Sequence, residues 1–407
     1  MPGRRRGVGW SVVPRQPFPT PQLLVIAGAT FVCVSSEFLP TGILPDIAAG
    51  VGVTEAQAGL LISVFAFTVA LTTIPLTRLT HRFPRKWLMV ATLGGFAVTN
   101  VICAIAPDYW TLFAGRVLGG LAHGVFWAVT APYAARLVKP SQVVRAASIT
   151  TAGATLAFIL GIPMGAAIGH AVGWRLSFVV MAGLIVLFAL LVVLFLPPVE
   201  HRVTLRTGEI ALPARRDPTL RIVIVICAIV ALAALGQNTM STYIVPWLIA
   251  VPAIDPGQVA SILLLGGIGG AVSLLIAALV GDRDPHGVLL VTLIGLAGGG
   301  VALGLLGAAG WPAIAAYVLW SIAFGVVPPL TQGLMMRDAS ARLRDFAAAA
   351  LTTSFNAAIG GGALIGSFVV AGLGLAWLPW FLVGFAVLAA LVLLVEMLLP
   401  RGRERVG

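Results

Sequence analysis

Charge is scarce in this chain. Asp, Glu, Lys and Arg make up 10% of the 407 residues, against 59% hydrophobic residues, and the mean hydropathy is +1.04. A soluble globular domain needs far more charge than that on its surface, so the composition excludes one. Cysteine is scarce too. Cys33, Cys103 and Cys227 all fall within apolar segments, which excludes a disulfide framework and leaves them as small packing residues. Catalytic signatures are also missing. The chain has no His-Glu-x-x-His zinc motif, no Gly-x-Ser-x-Gly elbow and no Gly-rich phosphate loop. These absences argue against an enzyme, a resident metal or cofactor, and a pump driven by ATP within this chain.

What is abundant is long apolar runs. Hydropathy divides the chain into twelve spans, at 22–46, 56–78, 87–106, 109–136, 145–170, 174–197, 221–250, 257–280, 287–308, 311–335, 346–373 and 376–399. The first follows a basic, Pro-rich stretch, is too long for a signal-peptide core and lacks a small-residue cleavage pattern, so it is expected as a retained helix. With twelve spans both termini share one side. All but two of the 25 Lys and Arg residues fall on that side; the exceptions are Arg116, inside a span, and Arg175, opposite. The positive-inside rule therefore predicts a multi-pass inner-membrane protein with cytoplasmic termini. The net charge of +11 is a topology signal and not a nucleic-acid footprint.

The longest polar interruption, 198–220, holds Pro198, Arg202, Arg206, Arg215 and Arg216. It predicts a tail at 1–21, a six-helix bundle at 22–197, a linker at 198–220, a second bundle at 221–399 and a tail at 400–407. Internal similarity supports the division. Thr41-Gly42-Ile43-Leu44-Pro45 resembles Thr242-Tyr243-Ile244-Val245-Pro246, and Ala146-Ala147-Ser148-Ile149-Thr150-Thr151 resembles Ala348-Ala349-Ala350-Leu351-Thr352-Thr353, at nearly equal offsets. The expected fold class is an all-α membrane protein of two pseudo-symmetric six-helix bundles, an architecture that places a substrate site between repeats. Pro40 and Pro45 are expected to break the first helix and Pro246 the seventh, as paired hinges. Gly161, Gly165 and Gly169, with Pro163 among them, mark a close-packing face on the fifth helix.

Glu37 is the deepest carboxylate. No other charge lies between Leu23 and Ile43, and a charge at mid-bilayer costs about 2.5–3.5 kcal/mol on the insertion scale. Counting helix rise puts both Glu37 and Arg116 ~12 Å below the same face. The expectation is a Glu37–Arg116 ion pair whose changing separation lets the carboxylate take up and release a proton. His123, two turns beyond Arg116 on the same face, is the expected relay, with Trp127 one turn on. The second half has no deep ionisable group. It offers Gln237, Asn238, Thr242, Tyr243, Trp320, Phe324 and Asn356, a set suited to a neutral polar or amphipathic substrate.

These motifs resemble those of the major facilitator superfamily, in particular its drug–proton antiporter branch, which includes sugar-efflux and arabinose-efflux permeases. The resemblance rests on Ser36-Glu37-Phe38-Leu39-Pro40-Thr41-Gly42-Ile43-Leu44-Pro45, on Arg116 through Trp127, on Gly153, Ala157, Gly161, Pro163, Gly165 and Gly169, and on Gly173-Trp174-Arg175. It implies a proton-coupled exporter, a monomer in the lipid bilayer, exchanging protons for a small-molecule cargo. Uptake on the same fold and a non-transporting sensor are the alternatives. One departure stands out. The loop between the second and third helices normally carries an acidic residue, and here Thr77, His81, Arg82, Pro84, Arg85 and Lys86 occupy it. Asp282-Arg283, in the corresponding loop of the second half, is then the expected charge latch.

Overall fold

A computed structural model describes residues 18–80, 83–139, 142–199, 217, 219–280, 284–340 and 343–398. Most of the N-terminal tail, all of the C-terminal one, most of the linker, and the Asp282-Arg283 latch lie outside the described residues. Among those described the fold is helical, and twelve helices are long and apolar enough to span a membrane.

The first half comprises α1 (Thr20–Gly42), the short α2 (Leu44–Val51), α3 (Glu55–Thr80), α4 (Arg85–Ile105), α5 (Tyr109–Arg136), α6 (Val143–Val172) and α7 (Trp174–Phe195). The second comprises α8 (Leu220–Ser241), the short α9 (Ile244–Ala250), α10 (Pro256–Val280), α11 (Pro285–Leu306), α12 (Trp311–Asp338), α13 (Arg344–Gly372) and α14 (Leu378–Leu398). We call the side of Thr20 and Leu398 the basic face, and the other side the far face.

Two expected spans are each divided. The run 22–46 is α1 plus the start of α2, broken at Ile43, and 221–250 is α8 plus α9, broken at Thr242 and Tyr243. Pro40 lies within α1, Pro45 is the second residue of α2, and Pro246 lies within α9, so each break falls two to four residues from a proline. A proline removes a donor but does not by itself fix where the chain turns. Pro163 lies inside a continuous α6.

The glycines of α6 set how it packs. A Cβ at Gly153, Gly161, Gly165 or Gly169 would meet Ala27, Ser35 or Leu39 of α1, or Ile43 at its C-terminal break, respectively, at 1.9–3.0 Å. Each glycine stands 126 positions after its partner, so α1 and α6 run parallel in one fixed register. The same faces recur in the second half, where Gly362 and Gly366 of α13 meet Asn238 and Tyr243 of α8 and its C-terminal break. The small-residue face therefore holds the backbone of the Glu37 helix tightly.

The halves meet along α3 with α13 and along α6 with α10. At Gly267 of α10 a Cβ would lie 2.0 Å from the Ile159 carbonyl of α6. Toward the far face, side-chain hydrogen bonds cross between the halves. Ser367 Oγ donates to the Ala56 carbonyl at 2.8 Å, and that carbonyl lies 3.4 Å from the Tyr243 hydroxyl.

Candidate functional site

Proline 40 creates the first demand at the site. It lacks an N–H, so the Ser36 carbonyl one turn earlier has no helical donor, and a bare carbonyl in a membrane interior is unfavourable. Arg116, on the neighbouring α5, supplies the donors. Its Nη1 reaches the Ser36 carbonyl at 3.3 Å, Nη2 the Glu37 carbonyl at 2.7 Å and Nε the Leu61 carbonyl of α3 at 3.3 Å. The guanidinium also lies 4.1 Å from the centre of the Phe65 ring.

This corrects the expected ion pair. Glu37 and Arg116 do meet at one depth, but Arg116 binds the main chain of Glu37 and not its carboxylate. The long arginine side chain reaches past the carboxylate to main-chain acceptors, of which Pro40 left the Ser36 carbonyl open.

The carboxylate faces His123 instead. Glu37 Oε2 lies 3.3 Å from His123 Nε2, with both side chains buried. Trp127 Nε1 donates to the same Nε2 at 2.7 Å. A ring nitrogen that accepts the indole N–H carries no proton of its own, so it has none to donate to Glu37. Three groups thus converge where one bond can be made: an indole N–H, one imidazole lone pair and a carboxyl oxygen. The other ring nitrogen, Nδ1, is buried without a hydrogen-bond partner among the described residues. Phe65 and Phe96 flank the imidazole at 5.4 and 5.6 Å.

One further pair went unread in the sequence. Ser36 Oγ donates to Asn100 Oδ1 of α4 at 2.8 Å, and Asn100 Nδ2 donates to the Phe96 carbonyl at 2.9 Å. A buried Asn in an otherwise apolar span was the signal that could have found it.

The second half separates the residues expected to touch substrate. Gln237, Phe324 and Asn356 are half-buried, on α8, α12 and α13. Trp320 is buried. Gln237 Oε1 and Trp320 Nε1 are buried without a hydrogen-bond partner among the described residues, leaving one acceptor and one donor unused. Asn238 and Thr242 are buried, and Asn238 Nδ2 donates to the Ala234 carbonyl within its own helix at 2.8 Å. Asn356 does the same with the Thr352 carbonyl at 3.0 Å. Tyr243 sits elsewhere. Its fully buried ring lies between Gly59 and Gly366, and its hydroxyl donates to the Ala363 carbonyl at 3.1 Å. The sequence pointed to Tyr243 as a substrate contact; the fold makes it a seam between the halves.

Comparison with known proteins completes the description. The profile of the Major Facilitator Superfamily matches residues 26–363. A chloramphenicol efflux pump of Mycobacterium tuberculosis is 34% identical over 357 residues, covering 86% of this chain and 85% of that protein. A probable sugar efflux transporter of Helicobacter acinonychis is 29% identical over 360 residues, covering 88% and 90%. Among solved structures, a bacterial homologue of the human lysosomal transporter Spinster, in an inward-facing occupied conformation, superposes with a TM-score of 0.73 at 17% identity, covering 94% of this chain and 97% of that one. The nucleoside transporter NupG gives a TM-score of 0.72 at 12% identity, covering 92% and 98%.

Proposed function

Since the chain belongs to the Major Facilitator Superfamily, a family of membrane transporters, we propose that it is a proton-coupled exporter of a neutral small molecule. The contest for His123 Nε2 carries this reading. With the indole bonded to Nε2, the one lone pair there is occupied and Glu37 has no bond to the ring. When Trp127 releases Nε2, that nitrogen is free to take the proton from Glu37, forming an imidazolium beside a carboxylate. Trp127 is half-buried, so a cargo stacking on the indole would pull it from Nε2 and trigger the transfer. Proton position and cargo occupancy are thereby coupled.

Arg116 acts on this site by position. It holds the adjacent Ser36 and Glu37 carbonyls in the turn before Pro40 and so fixes where the Glu37 side chain emerges from α1. The glycine register between α1 and α6 keeps that turn in place during movement. Alternating access then opens one face while the seam of Tyr243, Ser367 and Ala56 closes the other. The asymmetry of Lys and Arg assigns the basic face and both termini to the cytoplasm of the inner membrane. On that assignment the contacts at the far face close the periplasmic side.

The unused Gln237 acceptor and Trp320 donor suit a neutral polar cargo. The relatives point the same way, since one is named for chloramphenicol and others for sugars, all neutral and hydroxyl-bearing. Export of a neutral cargo for one entering proton moves charge inward, so the membrane potential contributes about 2.3 kcal/mol per 100 mV.

Purified protein in liposomes with an imposed pH gradient tests the reading against a panel of sugars and phenicols. The expected result is collapse of the gradient on addition of one compound. Cargo flux indifferent to the gradient would make the protein a facilitator, and flux that rises only with inward cargo movement would make it a symporter.

A further inference from the structure

We propose that the basic-face ends of α4 and α5 form a binding site for a phosphate group, presented by an anionic phospholipid of the adjoining leaflet. The site is independent of the transport reading above. It begins with an imbalance in the sequence. Through Val199 the acidic residues are Glu37, Asp46, Glu55 and Asp108. Glu37 is at the centre of the site described above, and the other three stand at the far face, in α2, at the start of α3 and before α5. Among the described residues the basic face of the first half therefore has no carboxylate of its own, while Arg85, Lys86, Arg136 and Lys139 crowd it.

Helix register brings two of these cations together. Gly115 of α5 lies against Cys103 of α4, Gly119 against Phe96 and Thr99, and the His123 ring 5.6 Å from that of Phe96. Continuing this antiparallel register places Arg85 beside the last turn of α5, where Arg136 stands. The two guanidinium groups are close enough to oppose each other's charge.

Arg85 is only 8% exposed, and its Nε and Nη1 are buried without a partner among the described residues, as is Nη1 of Arg136. Burying an unpaired cation is strongly unfavourable, and placing a second beside it adds repulsion. The arrangement is explained if an anion completes it. Arg85 is also the first residue of α4, whose N-cap, Pro84, offers no side-chain acceptor. The first-turn N–H groups and the positive end of the helix dipole add to the same spot.

Lys86 does not compete for the anion, because its Nζ donates to the Val193 carbonyl of α7 at 2.9 Å. Two guanidinium forks and a helix N-terminus match a phosphate, which offers several oxygens to planar donors. The neighbourhood sets the source. Phe83 and Trp87, each 57% exposed, flank Arg85, and exposed aromatic side chains at a span end sit at headgroup depth. Basic pockets between spanning helices on the cytoplasmic side take anionic headgroups.

Thermal unfolding of the full-length protein in mixed micelles tests this. The wild-type chain is compared in detergent alone, with phosphatidylcholine, with phosphatidylglycerol and with inorganic phosphate. The expected result is a higher Tm with phosphatidylglycerol than with phosphatidylcholine, and no rise with inorganic phosphate. In an Arg85→Gln, Arg136→Gln double variant that rise should largely vanish, while the Tm in detergent alone should be unchanged or higher. Exposed Lys139→Gln serves as the control and should keep the rise. An equal rise with inorganic phosphate would overturn the lipid as the source. The same lipid response in double variant and wild type would overturn the site. So would a lower lipid-free Tm in the double variant, because it would mean that the protein already satisfies these cations.

Discussion

The two halves of this molecule share a packing scheme and differ in chemistry. In each, the first and fifth spans run parallel, with glycines of the fifth seated on the first, and in each the first span breaks near a proline. Yet the first half buries Glu37, Arg116 and His123 in contact, while the second buries amides, hydroxyls and aromatics. Tyr243 aligns with Gly42 in the repeat. Gly42 lets α1 touch the α6 backbone, whereas Tyr243 reaches across to α3. One half thus buries a carboxylate and an imidazole in contact, and the other places a tyrosine at the seam. Under the proposed function this difference becomes a division of labour, with the proton handled in one half and the cargo selected in the other.

The sharpest way to break that division is a pair of variants. Glu37→Gln should abolish proton-driven accumulation in liposomes while cargo exchange persists, and Gln237→Ala should weaken cargo affinity about tenfold, on the order of one lost hydrogen bond to a desolvated group, with proton movement per cargo unchanged. Loss of both properties in either variant would show that the halves do not divide the work. Next in size is Arg116→Gln. The Ser36 carbonyl left bare costs about 1–3 kcal/mol, so a drop in thermal stability is expected as well as lost transport. A variant as stable as wild type would mean that Arg116 serves charge and not the backbone.

Trp127→Phe is a subtler probe. It keeps the aromatic surface but removes the N–H from His123 Nε2, so proton uptake should become less dependent on cargo. A proton leak without cargo, seen as decay of an imposed pH gradient, is the expected readout; a tight variant with normal coupling would remove the indole from the switch. The smallest effect belongs to Tyr243→Phe. One hydrogen bond between spanning helices averages about 0.6 kcal/mol, which shifts the balance of the two access states by roughly threefold. Cysteine accessibility from each side of the membrane would register that shift.

Much of the fold was legible in the chain. Twelve apolar runs, the repeat across Thr41 and Thr242, and the glycine spacing of α6 are periodic signals, carried by residues whose role is set by the lipid around them. At the site, the sequence named the participants but paired them wrongly. Depth along a helix follows from rise per residue, so Glu37 and Arg116 were correctly matched in height. Which atoms touch depends on side-chain length, helix rotation and competing acceptors. Three carbonyls drew Arg116 away, and His123 took its place. Tyr243 was misjudged for the same reason: nothing local distinguishes a cavity-facing tyrosine from one threaded between Gly59 and Gly366.

The sequence by itself determined that this protein spans a membrane twelve times and buries a carboxylate within it. The asymmetry of its Lys and Arg further suggests which face is cytoplasmic. Those properties follow from the partition of each segment between lipid and water, a sum over residues that needs no knowledge of neighbours. Only the tertiary structure decided that His123 and not Arg116 meets the Glu37 carboxylate, that an indole contests the same nitrogen, and that Arg85 and Arg136 come near each other at one end of the bundle. Those are distances between atoms on different helices. Hydrogen-bond geometry, steep in distance and angle, resolves them only when the helices are packed.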